Sequence, residues 1–386
     1  VRLVEDAFEA FSLVGKRAET LMATTSRDTR IDLIRAAAVT IVLLHHFNLA
    51  YRLDDTVLAG VFGPGFVQAL MRNGNYGVTM FFVVSGYLIT STSLRRWGAL
   101  GTIDARSFYG LRVARIMPCL LLLLAVVNGL AFGGVPIFRN QPQSGVSLWL
   151  VDLAALGFWM NVLVARAGWV NYALCILWSL AVEEVFYLTF PLMARMLRRP
   201  LWLLLFWLAV AIAGPVYRLR HQGDEGGFLF AYLACFDAIA IGCAAAVLAS
   251  RIVLAPGYLM VLQVAAVTVI VAVYFAGPIA DTNVLGVSAV ALGTAILLLP
   301  RGPVKAGPSL LTRGFAKVGS LSYELYLFHL VLLSGIRTVY PAKSTVGDIK
   351  LVLFAAFLAS SLGSALLVSQ GFTEPLNRAI RRRVIR

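Results

Sequence analysis

The sequence predicts an all-α membrane protein, a polytopic bundle of about ten transmembrane helices with both chain termini in the cytoplasm. Three observations predict it. Of 386 residues, 60% are hydrophobic and 13% charged, and mean hydropathy is +0.83, whereas soluble domains carry roughly 45–50% apolar and about 25% charged residues. The apolar residues arrive in blocks of about 18–22, the length a helix needs to cross about 30 Å of hydrocarbon. Lys and Arg collect in alternate connecting segments, as expected when cationic loops stay cytoplasmic. The blocks lack strand-like alternation, which argues against a β-barrel.

Residues 1–30 read as a mixed-charge cytoplasmic extension. Its weak helical stripe, Val4, Phe8 and Phe11, suits the membrane surface. The extension lacks the apolar core of a cleavable signal peptide. Ten spans follow, at 33–51, 76–94, 113–133, 175–197, 201–217, 229–249, 257–276, 283–300, 319–340 and 350–371. With residue 1 inside, the N-terminus, 95–115, 195–200, 250–256, 301–317 and the tail hold most of the 33 Lys and Arg residues. A further crossing at 146–165 would send Arg195, Arg198 and Arg199 outside and invert every later loop. That block is therefore expected to be re-entrant or surface-lying, buried against protein. The domain reading is an extension over 1–30, a membrane domain over 31–376 and a basic cytoplasmic tail over 377–386.

The net charge of +14 reads as anchoring at an anionic leaflet. Arg381, Arg382 and Arg383 form a short tail without interleaved aromatics, so nucleic-acid binding is not expected. Cys119, Cys175, Cys235 and Cys243 lie in apolar stretches without zinc-site spacing. They read as small buried hydrophobes, with no metal and no disulfide framework implied. No internal repeat is apparent, a mild argument against inverted-repeat transporters.

Ionisable groups inside a bilayer are costly and mark functional candidates. On the first span, Arg35 and His46 lie eleven positions apart, about 20° in azimuth, so they share a face. Along the axis they are about 16 Å apart. Asp32 stands at i,i+3 from Arg35, and His45 points elsewhere. An interfacial Asp–Arg anchor with a packing His is the plainer alternative. In Trp178–Tyr187, Ser179, Glu183 and Tyr187 follow one another at i,i+4, although a helix start also favours carboxylates through its dipole. In Ser322–His329, Ser322, Tyr326 and His329 fall on one stripe, unless the Tyr is an interfacial anchor. Arg106, Arg112 and Arg115 precede Pro118. They suit either ordinary cytoplasmic loop charge or a ligand carrying phosphates.

These groupings, in this order, resemble the acyltransferase-3 family of integral membrane O-acyltransferases. The resemblance rests on Asp32, Arg35 and His46; on Phe81-Phe82-Val83-Val84-Ser85-Gly86-Tyr87; and on Phe108 to Pro118. It continues through Trp178 to Tyr187, then Gly319, Ser322, Tyr323, Tyr326, Leu327 and His329, and closes on Glu374-Pro375. It covers roughly residues 30–376. The resemblance implies transfer of an acyl group, usually acetyl, from acyl-CoA as co-substrate to a hydroxyl of a carbohydrate or lipid-linked glycan, in the inner cell membrane. The first-helix His and Arg would be essential, with the donor entering from the cytoplasm. The chain departs from the pattern in three places. Cys235 stands where many relatives have Arg. His45 makes a tandem with His46. The chain ends soon after the last span, so hand-off to an appended hydrolase-like domain is not expected.

Acyl transfer from a thioester needs a base, a donor clamp and stabilisation of an oxyanion. The expectation is His46 as base, in a catalytic set with Arg35 and Glu183. Arg35, Arg112 and Arg115 would bind the coenzyme phosphates, with Asp32 orienting Arg35 or touching substrate. Glu183 would either orient His46 or hold the acceptor. Tyr187, Tyr326 and His329 would serve acceptor binding or oxyanion support, and an acyl-His46 intermediate stays open. The rival is a transporter using the same buried His, Arg and Glu as an ion relay. Oligomeric state is not legible.

Overall fold

The computed structural model describes residues 28–252, 254–279, 284–300 and 309–384. The stripe Val4, Phe8 and Phe11 and the loop cations Arg301 and Lys305 lie outside the described residues. Every regular element is helical among those described. α1 (Thr29–Tyr51) opens on Asp28, whose carboxylate accepts the Arg30 N–H at 3.0 Å and so satisfies one of the orphan donors of a helix start. Two short helices, α2 (Val57–Phe62) and α3 (Pro64–Met71), lead to α4 (Asn75–Trp97). α4 ends on Gly98 at φ +72°, a stop that glycine permits at no steric cost. α5 (Ala105–Phe132) is capped by Asp104 on the Ser107 N–H. It runs straight through the basic segment, so Arg106, Arg112 and Arg115 stand on a helix rather than in a loop.

The 146–165 block folds as α6 (Leu148–Leu156) and α7 (Met160–Ala167). Between them Phe158 sits at φ +57°. At 9 and 8 residues, neither is long enough to cross a bilayer by itself. Next come α8 (Trp178–Leu197), α9 (Pro200–Arg220), α10 (Glu225–Phe230), α11 (Tyr232–Ala249), α12 (Pro256–Phe275) and α13 (Val284–Leu298). The chain closes with α14 (Leu310–Ser320), α15 (Ser322–Val339), α16 (Ile349–Val368) and α17 (Glu374–Val384). Proline opens α9 and α12, where its missing N–H costs nothing.

Among the described residues, eight helical stretches are long and apolar enough to span: α1, α3 with α4, α5, α8 with the turn before it, α9, α10 with α11, α12, and α16 with α17. The pair α14–α15, bent by 70°, makes a ninth. The sequence predicts about ten, and α13 is the difference: its 15 residues reach about 22 Å, short of the hydrocarbon thickness.

α4, α8 and α11 are mostly buried, while α9 and α12 turn rows such as Leu201, Leu205 and Leu208 or Met260, Val261 and Val264 outward, the perimeter expected against lipid. Close helix contact depends on glycine. A Cβ on Gly86 of α4 would strike the Ile239 carbonyl of α11, and one on Gly242 would strike the Val83 carbonyl of α4. Gly319, at the end of α14, abuts the Asp32 carbonyl of α1 in the same way. Small residues at such crossings let backbones touch where the hydrophobic effect offers no help.

At the Tyr51 end, the segment after α1 is clasped to the one before α16. Lys350 Nζ meets Asp55 Oδ1 at 2.6 Å, and the Gly347 N–H donates to Asp55 Oδ2 at 2.9 Å. Asp348 accepts the Val57 N–H at 2.7 Å, and the Tyr51 hydroxyl donates to the Tyr340 carbonyl at 2.7 Å. The Gly347 N–H and the Lys350 ammonium hold the Asp55 carboxyl below its ordinary value of 3.8.

Candidate active site

α1 supplies the first part of the site. Arg35 lies 3.9 Å from Asp32 at the expected i,i+3 spacing. Further along, His46 Nδ1 lies 2.9 Å from the Val42 carbonyl one turn back, and 3.2 Å from His329 Nε2 of α15. The two rings are 4.9 Å apart between centroids. His329 Nδ1 in turn lies 2.8 Å from the Tyr326 carbonyl and 3.2 Å from that of Leu325. His46 is half-buried and His329 fully buried. The neighbouring His45 turns to the Met71 carbonyl at 3.2 Å, so the tandem is divided between two environments, as the helix-face argument expects.

A second group gathers where α4, α5 and α8 meet. Arg112 of α5 contacts Glu184 at 2.9 Å and Glu183 at 3.4 Å. Its guanidinium lies over the Tyr187 ring, 3.7 Å from the centroid, a cation–π contact. Tyr187 donates to Glu183 at 2.6 Å, and Ser85 of α4 hydrogen-bonds to both Glu183 and Tyr187. Thus Glu183 and Tyr187 do meet along the predicted stripe. Glu183 is held by Ser85, Tyr187 and Arg112, and His46 is not among its partners. Arg112 is an interior residue countered by carboxylates rather than a free cytoplasmic cation.

The third group joins these two. The Tyr326 hydroxyl of α15 lies 2.6 Å from Ser179 Oγ of α8 and 3.3 Å from the Ile176 carbonyl. Its ring is edge-on to Phe81 of α4 and 6.0 Å from His329. Glu324, one helical turn before His329, lies within electrostatic reach of both Arg115 and Arg35. Arg35 and Arg115 thereby both stand near Glu324, whereas Arg112 is engaged with Glu183 and Glu184.

Sequence reasoning missed two features. Ser85 stood inside a quoted signature without a role, and it joins the Glu183–Tyr187 pair. Arg218 falls in the loop between the predicted spans 201–217 and 229–249. It is fully buried, with Nη2 at 2.7 Å from Asp237 and 2.7 Å from Ser288, Nε at 3.2 Å from the Val284 carbonyl, and Nη1 on the Ala234 carbonyl. A lone Asp237 in the apolar run Cys235–Gly242 was the available signal. The cation next to Cys235 thus comes from α9. All four cysteines are buried and unpaired with one another. No cluster of His, Cys, Asp or Glu fit to hold a metal occurs among the described residues.

A helical bundle with eight to nine membrane-spanning stretches and ionisable side chains gathered inside defines a multi-pass integral membrane protein. The chain belongs to the family described as "Acyltransferase domain", whose profile matches residues 28–373. Among curated proteins it is similar to "Putative O-acetyltransferase SACOL0978" of Staphylococcus aureus strain COL, at 31% identity over 168 residues, 42% of this chain and 24% of that protein. It is also similar to "O-acetyltransferase OatA" of Staphylococcus aureus strain NCTC 8325 / PS 47, at 30% identity over 173 residues, 43% of this chain and 24% of that protein. The aligned region is about a quarter of the length of the curated relatives. No solved structure matches.

Proposed function

We propose that this chain transfers an acyl group, acetyl in the leading case, from acyl-CoA to a hydroxyl of a carbohydrate or glycolipid acceptor in the inner cell membrane. Family membership and the names of the relatives support the reaction class. The observation that carries the mechanism is the environment of His46. One ring nitrogen is engaged by Val42 and His329, while Nε2 has no protein partner among the described residues and the ring is half-buried rather than sealed.

The His46 Nε2 lone pair takes the proton of the acceptor hydroxyl as its oxygen attacks the thioester carbonyl carbon. The C–O bond forms, the tetrahedral oxyanion collapses and the C–S bond breaks. The imidazolium proton then goes to the departing coenzyme sulfur. Arg35 and Arg115 bind the coenzyme phosphates at their end of the bundle, taken as cytoplasmic like both termini, and Asp32 orients Arg35. Arg112, neutralised by Glu183 and Glu184, contributes by holding those carboxylates. Glu183, Tyr187 and Tyr326 receive the acceptor's hydroxyls.

Proteoliposomes containing the full chain test this reading. Acetyl label should pass from acetyl-CoA to a glycan or glycolipid, and His46→Ala should abolish transfer while the protein remains folded and monodisperse. Solute flux without modification, or full activity in His46→Ala, would refute it.

A further inference from the structure

The ring protons of the His46–His329 pair are determined by the acceptors around them. A carbonyl oxygen only accepts. The Val42 carbonyl at 2.9 Å therefore requires an N–H at His46 Nδ1, and the Tyr326 and Leu325 carbonyls at 2.8 and 3.2 Å require one at His329 Nδ1. In the neutral ring that leaves a lone pair on His329 Nε2, which lies 3.2 Å from His46 Nδ1 and accepts its proton. The reverse direction, with His329 Nε2–H donating, would aim the His46 Nδ1 lone pair at a carbonyl oxygen. For a neutral His329 it would aim the Nδ1 lone pair at two more.

We infer that His329 is a positioning residue. By sharing the His46 Nδ1–H with the Val42 carbonyl, from across the α1–α15 interface, it holds the ring in the orientation that presents the Nε2 lone pair to the acceptor hydroxyl. The inference rests on the reading of His46 as the base. A carboxylate commonly occupies such an orienting position behind an imidazole. Here the neighbours of the pair are His45, turned to Met71, and Tyr326, whose hydroxyl goes to Ser179. A neutral imidazole performs the same orientation without placing a further charge in the bilayer, where an ionised side chain is costly. It in turn is anchored by backbone carbonyls of its own helix, so α15 supplies one acceptor for the His46 Nδ1–H and Val42 of α1 the other.

Two measurements on the full chain in nanodiscs test this. The chain has 4 histidines, so ¹⁵N-histidine NMR at about pH 8.5, some two units above the ordinary imidazole pKa of about 6.5, can be assigned with His46→Asn. The wild type should show His46 protonated at Nδ1 and bare at Nε2, and His329→Leu should keep that tautomer on the Val42 carbonyl while the Nδ1–H resonance moves upfield as its second acceptor is lost. A wild-type His46 protonated at Nε2, or an unchanged Nδ1–H resonance in His329→Leu, overturns the inference whether or not the chain transfers acyl groups. In the transfer assay, His329→Leu should lower kcat on the order of 10- to 100-fold with both KM values unchanged. His329→Gln, whose amide oxygen can accept at the Nε2 position, should recover most of the rate. Wild-type kcat in His329→Leu, or no recovery in His329→Gln, overturns it. If the wild type transfers nothing while the tautomer is as stated, only the acyl-transfer reading fails.

Discussion

The interior of the bundle holds two kinds of polar assembly, and they are finished to different degrees. In the guanidinium–carboxylate assemblies, Arg112 with Glu183 and Glu184 and Arg218 with Asp237, each cation is met by carboxylate oxygens and by further hydroxyl, carbonyl or aromatic partners. In the imidazole pair, the hydrogen bonds run in sequence from His46 to His329 to the α15 backbone. They leave one nitrogen at the open end without a protein partner among the described residues. Paired charge holds helices together, although Arg112 Nε is buried without a hydrogen-bond partner. An unsaturated base can accept a proton from something that arrives. On the proposed reading the first kind fixes the walls that the acceptor meets and the second does the proton transfer.

That division can be broken by experiment. The largest effect should come from His46→Ala: transfer falls by about 10²- to 10⁴-fold, the usual worth of a positioned base, while thermal unfolding in detergent changes little. A His46→Ala protein that unfolds readily would erase the distinction. Arg218→Met should cost about 3–5 kcal/mol, because it strands the buried Asp237 charge. Adding Asp237→Leu should return much of that loss, and unfolding of the single and double variants checks it. Arg112→Met should cost less, about 2–3 kcal/mol, since the Arg112 side chain keeps 19% exposure. The smallest effect lies in the clasp at the Tyr51 end. The folded-state pKa of Asp55 is lowered, so its contribution is present above the unfolded value near 3.8 and is lost as pH falls through the lower folded value. Asp55→Asn should remove that acid-side dependence and shift stability by well under about 1 kcal/mol, as for an exposed ion pair. Unfolding followed between about pH 3 and 6 reads it.

What the sequence made legible follows from which signals are local. Apolar block length located nearly every span, because a membrane helix satisfies its own backbone. α13 is shorter than the predicted 283–300 because its helix ends at Leu298, ahead of Pro300, so counting to the end of the apolar run overstates the helix. The face shared by Arg35 and His46 could be read because both lie on one helix. His329 beside His46, and Ser85 and Arg112 beside Glu183, could not, since each sits on another helix and only packing brings them together. Arg218 was misread for the same reason: hydropathy assigns a cation near a helix end to the loop, whereas Asp237, nineteen residues later on another helix, draws it inside. The bend at Ser320–Ser322 was equally silent. A polar Gly-Ser-Leu-Ser stretch marks a break without giving its angle.

The reciprocal glycines of α4 and α11 carry a last consequence. With Gly86 seated on one carbonyl and Gly242 on another, the two helices are keyed in both directions, and neither can slide by even part of a turn without a backbone collision. Ser85 is the residue beside that key. Its hydroxyl, bonded to Glu183 and Tyr187, is therefore tied through the α4–α11 contact to the register of two helices at once.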